Sequence, residues 1–149
     1  MGPAHTSNDV VLWVPERRLA FSGDIIFNGG TPFVIAGSVA GSLTALERLR
    51  ASGAETIVGA RPVCDPEVID DMAAYLRFVQ ELARKSFESG LVPLEAARGA
   101  ELGRFAGWHD AERLAGNLHR AYSEIKGEPL GTTLDPRPMI ADMIAYNSR

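Results

Sequence analysis

The chain has 149 residues, 46% hydrophobic and 23% charged, which suits one domain with a buried core and argues against disorder. Its net charge is −4 and no segment is strongly basic, which argues against a nucleic-acid partner. The single cysteine excludes an internal disulfide, and without a signal peptide or an apolar run of ~20 residues a cytoplasmic protein with no membrane contact is expected.

The first third of the chain predicts a β-hairpin followed by a loop. Residues 10–14 and 19–22 are apolar and partly β-branched, which is typical of strands, and the polar run 15–18 between them predicts a tight turn. Strands joined by so short a turn are expected to pair antiparallel. Residues 25–37 contain several glycines and prolines and predict a loop.

The next segment predicts a helix and a short strand. Ser38 is a favourable N-cap, and Gly53 is expected to end the helix that it begins. Residues 55–58 predict a strand, and residues 59–62 a turn after it.

Helix is predicted for most of the remainder. Asp65 is expected to cap a long helix with Pro66 at its first position. Residues 94–98 predict a short helix, and an apolar segment over 139–144 predicts a last helical turn or two. A helix over 110–126 is expected to direct four apolar side chains inward, namely Leu114, Leu118, Tyr122 and Ile125.

The predicted fold class is α/β (α+β), with few strands at the front and several helices after them. A sheet of only two or three strands would have open edges, and it would be too small for the apolar face that the sequence predicts. The sequence therefore predicts part of a larger architecture, with residues 1–66 as a β/α part and residues 67–149 as a helical extension packed on it.

His5 and Asp24 are the first candidates for chemistry. His5 lies in a turn before the first predicted strand, and Asp24 lies at the end of the second. A hairpin would bring these two ends together, and an imidazole beside a carboxylate suits a metal such as zinc. The competing interpretation is that both are ordinary polar surface residues.

The order of these motifs resembles the C-terminal half of the metallo-β-lactamase-fold hydrolases. His5-Thr6-Ser7-Asn8-Asp9, two strands, Phe21-Ser22-Gly23-Asp24, a glycine-containing loop and a helix follow one another over roughly residues 2–66. The resemblance implies the C-terminal half of an αββα sandwich. The loop 27–33 and residues 37–41 look similar to a subgroup of thioesterases or cyclases linked to aromatic polyketide pathways.

The resemblance also implies a chemistry. In such hydrolases the residue matching His5 binds one zinc ion, the residue matching Asp24 bridges two, and the zinc centre activates the attack on a carbonyl. A small acyl substrate, an ester or a thioester, is expected. Asn28 and Thr31, in the glycine-rich loop, are candidates for contacting it, although loops of this composition are often only turns.

Departures from the family pattern leave the function open. The His-x-His-x-Asp-His cluster is absent, and residues 58–63 stand where a Pro-Gly-His-Gly-Pro turn is expected, so only two ligands remain. Codons for Gly-His-Gly, read in a reading frame shifted by one base, encode Gly-Ala-Arg, which is the sequence found at Gly59-Ala60-Arg61. This suggests that the chain is an imperfect reading of a longer gene. The alternative is a catalytically inactive remnant or interaction module that self-associates or docks a missing N-terminal half.

Several other residues invite a functional interpretation, and a structural one is preferred for each. His109 is expected to cap the last long helix beside Trp108, and His119 to be a partly exposed polar residue on it. Cys64 is interpreted as a small turn residue, since no histidine adjoins it to activate a thiol. Core or lid packing is expected for the aromatic residues Tyr75, Phe78, Phe87, Phe105 and Trp108.

Overall fold

The computed structural model of the protein describes residues 1–60 and 63–148. Its sheet has three strands in the order β1-β2-β3, namely β1 (Leu12–Val14), β2 (Leu19–Gly23) and β3 (Thr56–Gly59). β1 and β2 pair antiparallel through a single 3₁₀ turn at Pro15–Arg17, as the sequence predicts, and β3 lies parallel to β2. The turn expected over 59–62 includes Arg61 and Pro62, which lie outside the described residues.

The two faces of this sheet differ in burial. On one face Ala20 and Ile57 are adjacent in register and both are 0% exposed. On the other face Leu12, Phe21 and Val58 form a row across the three strands, and Leu12 is 59% and Phe21 41% exposed. The helices therefore cover only one face, because side chains alternate between faces along each strand.

Five α-helices lie within the described residues, and the mixed α+β fold class is confirmed. Ser38 caps the first helix as predicted, since its Oγ accepts a hydrogen bond from the Gly41 N–H at 2.8 Å. The helices are α1 (Val39–Ala51), α2 (Val68–Glu88), α3 (Pro93–Arg98), α4 (Arg113–Ile125) and α5 (Pro136–Asn147). No helix in this part of the chain is both long and apolar enough to cross a membrane.

Three details of the predicted helices are wrong. α2 begins at Val68 without a side-chain cap, because residues 65–67 form a separate turn in which the Val68 N–H bonds to the Asp65 carbonyl. His109 does not cap α4, which begins four residues later at Arg113. Ile125 is 41% exposed rather than inward, and it is the last residue of α4.

One hydrophobic cluster extends from Ala4 in the N-terminal segment to Tyr122 on α4. Four of the five predicted aromatic residues contribute to it, with Tyr75 stacked on Trp108 at 5.3 Å between ring centroids and edge-on to Phe105 at 5.2 Å. Phe87 lies outside this cluster and is 37% exposed. α2 and α4 therefore pack into the same core as α1 and the sheet. The division into residues 1–66 and 67–149 stays a prediction.

Candidate functional site

His5 is held by a compact turn before β1. The Asp9 carboxylate accepts hydrogen bonds from the Ala4 N–H at 3.0 Å, from the Thr6 N–H at 3.1 Å and from the Thr6 hydroxyl at 3.0 Å. Charge-assisted bonds of this kind are stronger than those between neutral groups. The His-Thr-x-x-Asp motif is thus a structural unit in which Asp9 orders the backbone on either side of His5.

Two glycines allow this turn to lie directly on the start of α1. The Ala4 carbonyl accepts a hydrogen bond from the Ser38 N–H at 2.9 Å. A Cβ atom on Gly37 would lie 1.8 Å from that carbonyl oxygen, and one on Gly41 would lie 1.8 Å from the Pro3 oxygen. Only glycine permits such a close approach of two backbones, so Gly37 and Gly41 fix the position of His5.

Asp24 is presented by a tight turn at the end of β2. Gly23 has a positive φ of +51°, a conformation that glycine adopts without strain, and the pairing with β3 shifts register there. The Ile25 N–H then bonds back to the Ser22 carbonyl at 3.2 Å. This turn leaves the Asp24 side chain 56% exposed.

The structure brings His5 and Asp24 together, as the hairpin predicts. Nε2 of His5 lies 3.4 Å from Oδ2 of Asp24, while Nδ1 contacts the carbonyl oxygen of Phe33. A proton on Nδ1, donated to that carbonyl, leaves the lone pair of Nε2 directed at the carboxylate, which is how metal-binding histidines are commonly oriented. The imidazole is 20% exposed, so the pair is accessible from solution.

The 3.4 Å separation matches two ligands of one zinc ion. With zinc–ligand distances of about 2.1 Å and a tetrahedral angle of about 109°, the two ligand atoms would lie about 3.4 Å apart. The separation is also longer than a good N–H···O hydrogen bond. The donor types and their spacing therefore fit half of a tetrahedral zinc site.

The other half of such a site is not supplied by the residues described. Over residues 1–60 and 63–148, no three or more His, Cys, Asp or Glu side chains lie close enough together to hold a metal. The other two histidines make different contacts. The backbone of His109 bonds to Gly29 and Thr31, and Nε2 of His119 lies 2.7 Å from Oδ2 of Asp142, joining α4 to α5.

Two aromatic rings lie near His5, and one arginine lies over both of them. Its ring lies 5.8 Å from that of Phe27 and 6.3 Å from that of Phe33. The guanidinium of Arg113 lies over both of these phenyl rings, at 5.4 and 5.3 Å from their centroids. It also donates to the Thr31 carbonyl at 3.0 Å and pairs with Asp110 at 3.1 Å. No local sequence pattern indicates this role of Arg113, because the loop that it contacts lies 82 positions away.

The two candidate substrate residues differ in exposure. Asn28 is exposed at the turn before Gly29, whereas Thr31 is 2% exposed. The Thr31 N–H donates to the His109 carbonyl at 3.0 Å, so its backbone joins the loop to the segment before α4. Contact with a substrate stays a prediction for both residues.

Asn117 is a buried residue of this region that the sequence did not single out. It is 0% exposed, its Oδ1 accepts from the Val34 N–H at 3.1 Å, and its Nδ2 donates to the Pro32 carbonyl at 2.8 Å. It therefore satisfies two backbone groups of the loop that carries Phe33. The one sequence feature that could have indicated this buried role is the position of Asn117 among the apolar residues of the predicted helix.

Cys64 has the environment of a structural residue. Its backbone forms an isolated bridge with Ile57, and its thiol lies 3.5 Å from the Ile57 carbonyl. Burial raises the pKa of the Cys64 thiol above its ordinary value, and the negative charge of Asp65 raises it further. A raised pKa lowers the thiolate fraction on which nucleophilic reactivity depends.

Comparison with known families gives a match at the front of the chain. Residues 1–61, which hold both His5 and Asp24, match the family described as the metallo-beta-lactamase superfamily. The match confirms the resemblance predicted from the motifs, and it assigns no subgroup. No curated protein matches the chain.

Proposed function

We propose that the segment matching the metallo-beta-lactamase superfamily provides two ligands, His5 and Asp24, of a zinc site for ester or thioester hydrolysis. The single observation that supports this most strongly is the 3.4 Å separation between Nε2 of His5 and Oδ2 of Asp24. The supporting bond from Nδ1 to the Phe33 carbonyl fixes the ring in the orientation that a zinc ligand requires. Zinc bound there would polarise a carbonyl group and activate water.

The residues around this pair would position an acyl substrate. Asp9 and the backbone contact at Gly37 hold the His5 turn, so the ligand is preorganised rather than flexible. Phe27 and Phe33 provide an apolar wall beside it. Because the described residues provide two ligands, the remainder would come from water or from another polypeptide segment.

We expect the purified chain to bind Zn²⁺ weakly and through this pair. Each of the variants His5→Ala and Asp24→Ala should lower the affinity at least tenfold (~1.4 kcal/mol), because a two-ligand site loses half of its protein donors. Isothermal titration with ZnCl₂ measures the effect. Glu101→Ala, which removes another exposed carboxylate, is the matched control and should bind as the unmodified chain does.

Hydrolysis is tested with an activated thioester and an activated ester in the presence of Zn²⁺. Turnover should be lost on adding a chelator and in Asp24→Ala. Undiminished turnover in Asp24→Ala would contradict the proposed role. Sequencing the genomic locus upstream of Met1 and through the codons for residues 58–64 determines whether an in-frame His-x-His-x-Asp-His cluster can supply the other ligands.

A second candidate function, an interaction module, is favoured by the uncovered sheet face. Leu12 and Phe21 are cross-strand partners on that face and are 59% and 41% exposed. Within the described sheet β1 is an edge strand, paired on one side only. An exposed edge beside an apolar row is a template for pairing with another chain, and a second copy could pair with it about a twofold axis.

This candidate predicts association that depends on concentration in analytical ultracentrifugation. Leu12→Lys and Phe21→Lys should each weaken the association at least tenfold (~1.4 kcal/mol), because each would place a charge in the apolar row beside the paired edge. Ile144→Lys, at a residue of α5 that is 66% exposed, is the control. A chain that stays monomeric at all concentrations would exclude self-association.

A further inference from the structure

Arg120 is a buried cation with unused hydrogen-bond donors. Its side chain on α4 is 0% exposed, and Nη2 donates to the Ile35 carbonyl. Nε and Nη1 have no hydrogen-bond partner, and these two nitrogens carry three of the five N–H donors of a guanidinium. Buried donors without partners are costly, and each one calls for a partner that completes it.

The carboxylates near Arg120 are already engaged with other groups. Glu124 accepts hydrogen bonds from the Val39 and Ala40 N–H groups at 2.7 and 3.1 Å, at the start of α1. Glu128 accepts from the Ser123 hydroxyl at 2.7 Å. Burial lowers the pKa of Arg120, and the charges of Glu124 and Glu128 oppose that shift. The guanidinium still stays charged, because its ordinary pKa lies far above neutrality.

A cavity of about 360 Å³ has Arg120 in its wall. Two of its lining residues, Arg120 and Met139, are buried, whereas Ser7 and Thr133 are exposed. The cavity therefore extends from a polar rim at the surface to a wall that includes the buried Arg120 side chain. Thr6, which directly follows the candidate ligand His5, also lines it.

We propose that this cavity is a binding site for a small oxyanion, a carboxylate or a phosphate group, that accepts hydrogen bonds from Nε or Nη1 of Arg120. Arginine is well suited to such groups, because its donors are fixed in a plane and remain charged. Hydroxyl groups of Ser7 and Thr133 at the rim provide further donors. The site needs no metal and is independent of the function proposed for His5 and Asp24.

The test is direct observation of the guanidinium in the unmodified chain. The ¹H–¹⁵N signal of the Arg120 Nε–H is followed by NMR during titration with sodium phosphate, with sodium acetate and with sodium chloride at equal ionic strength. The expected result is a saturable shift with phosphate or acetate and none with chloride. Saturation by acetate alone identifies a carboxylate site, and saturation by phosphate alone identifies a phosphate site. Equal response in all three titrations, or none in any, overturns the proposal.

A variant distinguishes anion binding at Arg120 from anion binding elsewhere on the protein. Arg120→Met keeps an unbranched stem and removes a buried charge, which is often tolerated when the charge lacks a buried partner. It should abolish the rise in melting temperature caused by the effective anion, because a ligand stabilises only the state that binds it. Arg17→Met, at an exposed arginine, should leave that rise unchanged. An undiminished rise in Arg120→Met overturns the proposal, and should Arg120→Met not fold, the NMR titration of the unmodified chain decides.

Discussion

Gly37→Ala is expected to destabilise the fold by about 3 kcal/mol, at the upper end of overpacking costs. The added Cβ would lie 1.8 Å from the carbonyl oxygen of Ala4 and 2.7 Å from the carbonyl carbon of His5. These are backbone atoms, so no side-chain rotation can relieve the overlap, and the whole turn before β1 must move. Thermal unfolding measures the change, which corresponds to a decrease in melting temperature of roughly 6 to 12 °C.

The same substitution should impair zinc binding as well as stability. His5 follows Ala4 directly, so displacing this turn changes the 3.4 Å separation between His5 and Asp24. Gly107→Ala is the matched control, because a Cβ there meets nothing within 4 Å, and its effect should stay within about 0.5 kcal/mol. A Gly37→Ala protein as stable as the Gly107→Ala control would show that the turn does not pack on α1 as described.

Asn117→Ala is expected to destabilise the fold by a similar amount, about 3 kcal/mol. The substitution removes the acceptor of the Val34 N–H and the donor to the Pro32 carbonyl. Asn117 is completely buried, so both backbone groups would lose their partners where water does not readily replace them. Urea unfolding measures the loss, which should appear as a lower midpoint at unchanged slope.

A control and a second variant define what Asn117 contributes. Asn8→Ala, at an exposed position of the N-terminal turn, should change the free energy of unfolding by no more than about 0.5 kcal/mol. Asn117→Asp keeps an oxygen for the Val34 N–H but buries a charge, so it should be at least as destabilising as Asn117→Ala. Equal stability of Asn117→Ala and Asn8→Ala would contradict the role of Asn117 in holding the loop.

The convergence of His5 and Asp24 could be predicted because it depends on local structure. His5 and Asp24 lie at the outer ends of a hairpin whose strands and turn are encoded by neighbouring residues. Once β1 and β2 pair antiparallel, those ends meet whatever the rest of the chain does. The same reasoning located the Ser38 cap, because an N-cap depends on residues within one helical turn.

The surroundings of that pair could not be predicted in the same way. Arg113 and Asn117 contact the loop over residues 31–34 from 82 and 83 positions away, and Arg120 reaches Ile35 from 85 positions away. Side chains on one helix look alike in sequence, whether they face solvent or a distant loop. Their partners become defined only when α4 packs against α2, α3 and α5.

By itself, the sequence determined the hairpin, most helix positions, the resemblance of the front of the chain and the convergence of His5 with Asp24. Hydrophobic periodicity, capping residues and turn residues act over a few positions, so they can be read directly from neighbours. The tertiary structure alone decided that Thr31 is buried, that His119 pairs with Asp142 and that Arg120 lines a cavity with unused donors. Burial and long-range hydrogen bonds depend on how the elements pack, which the order of residues along one element does not specify.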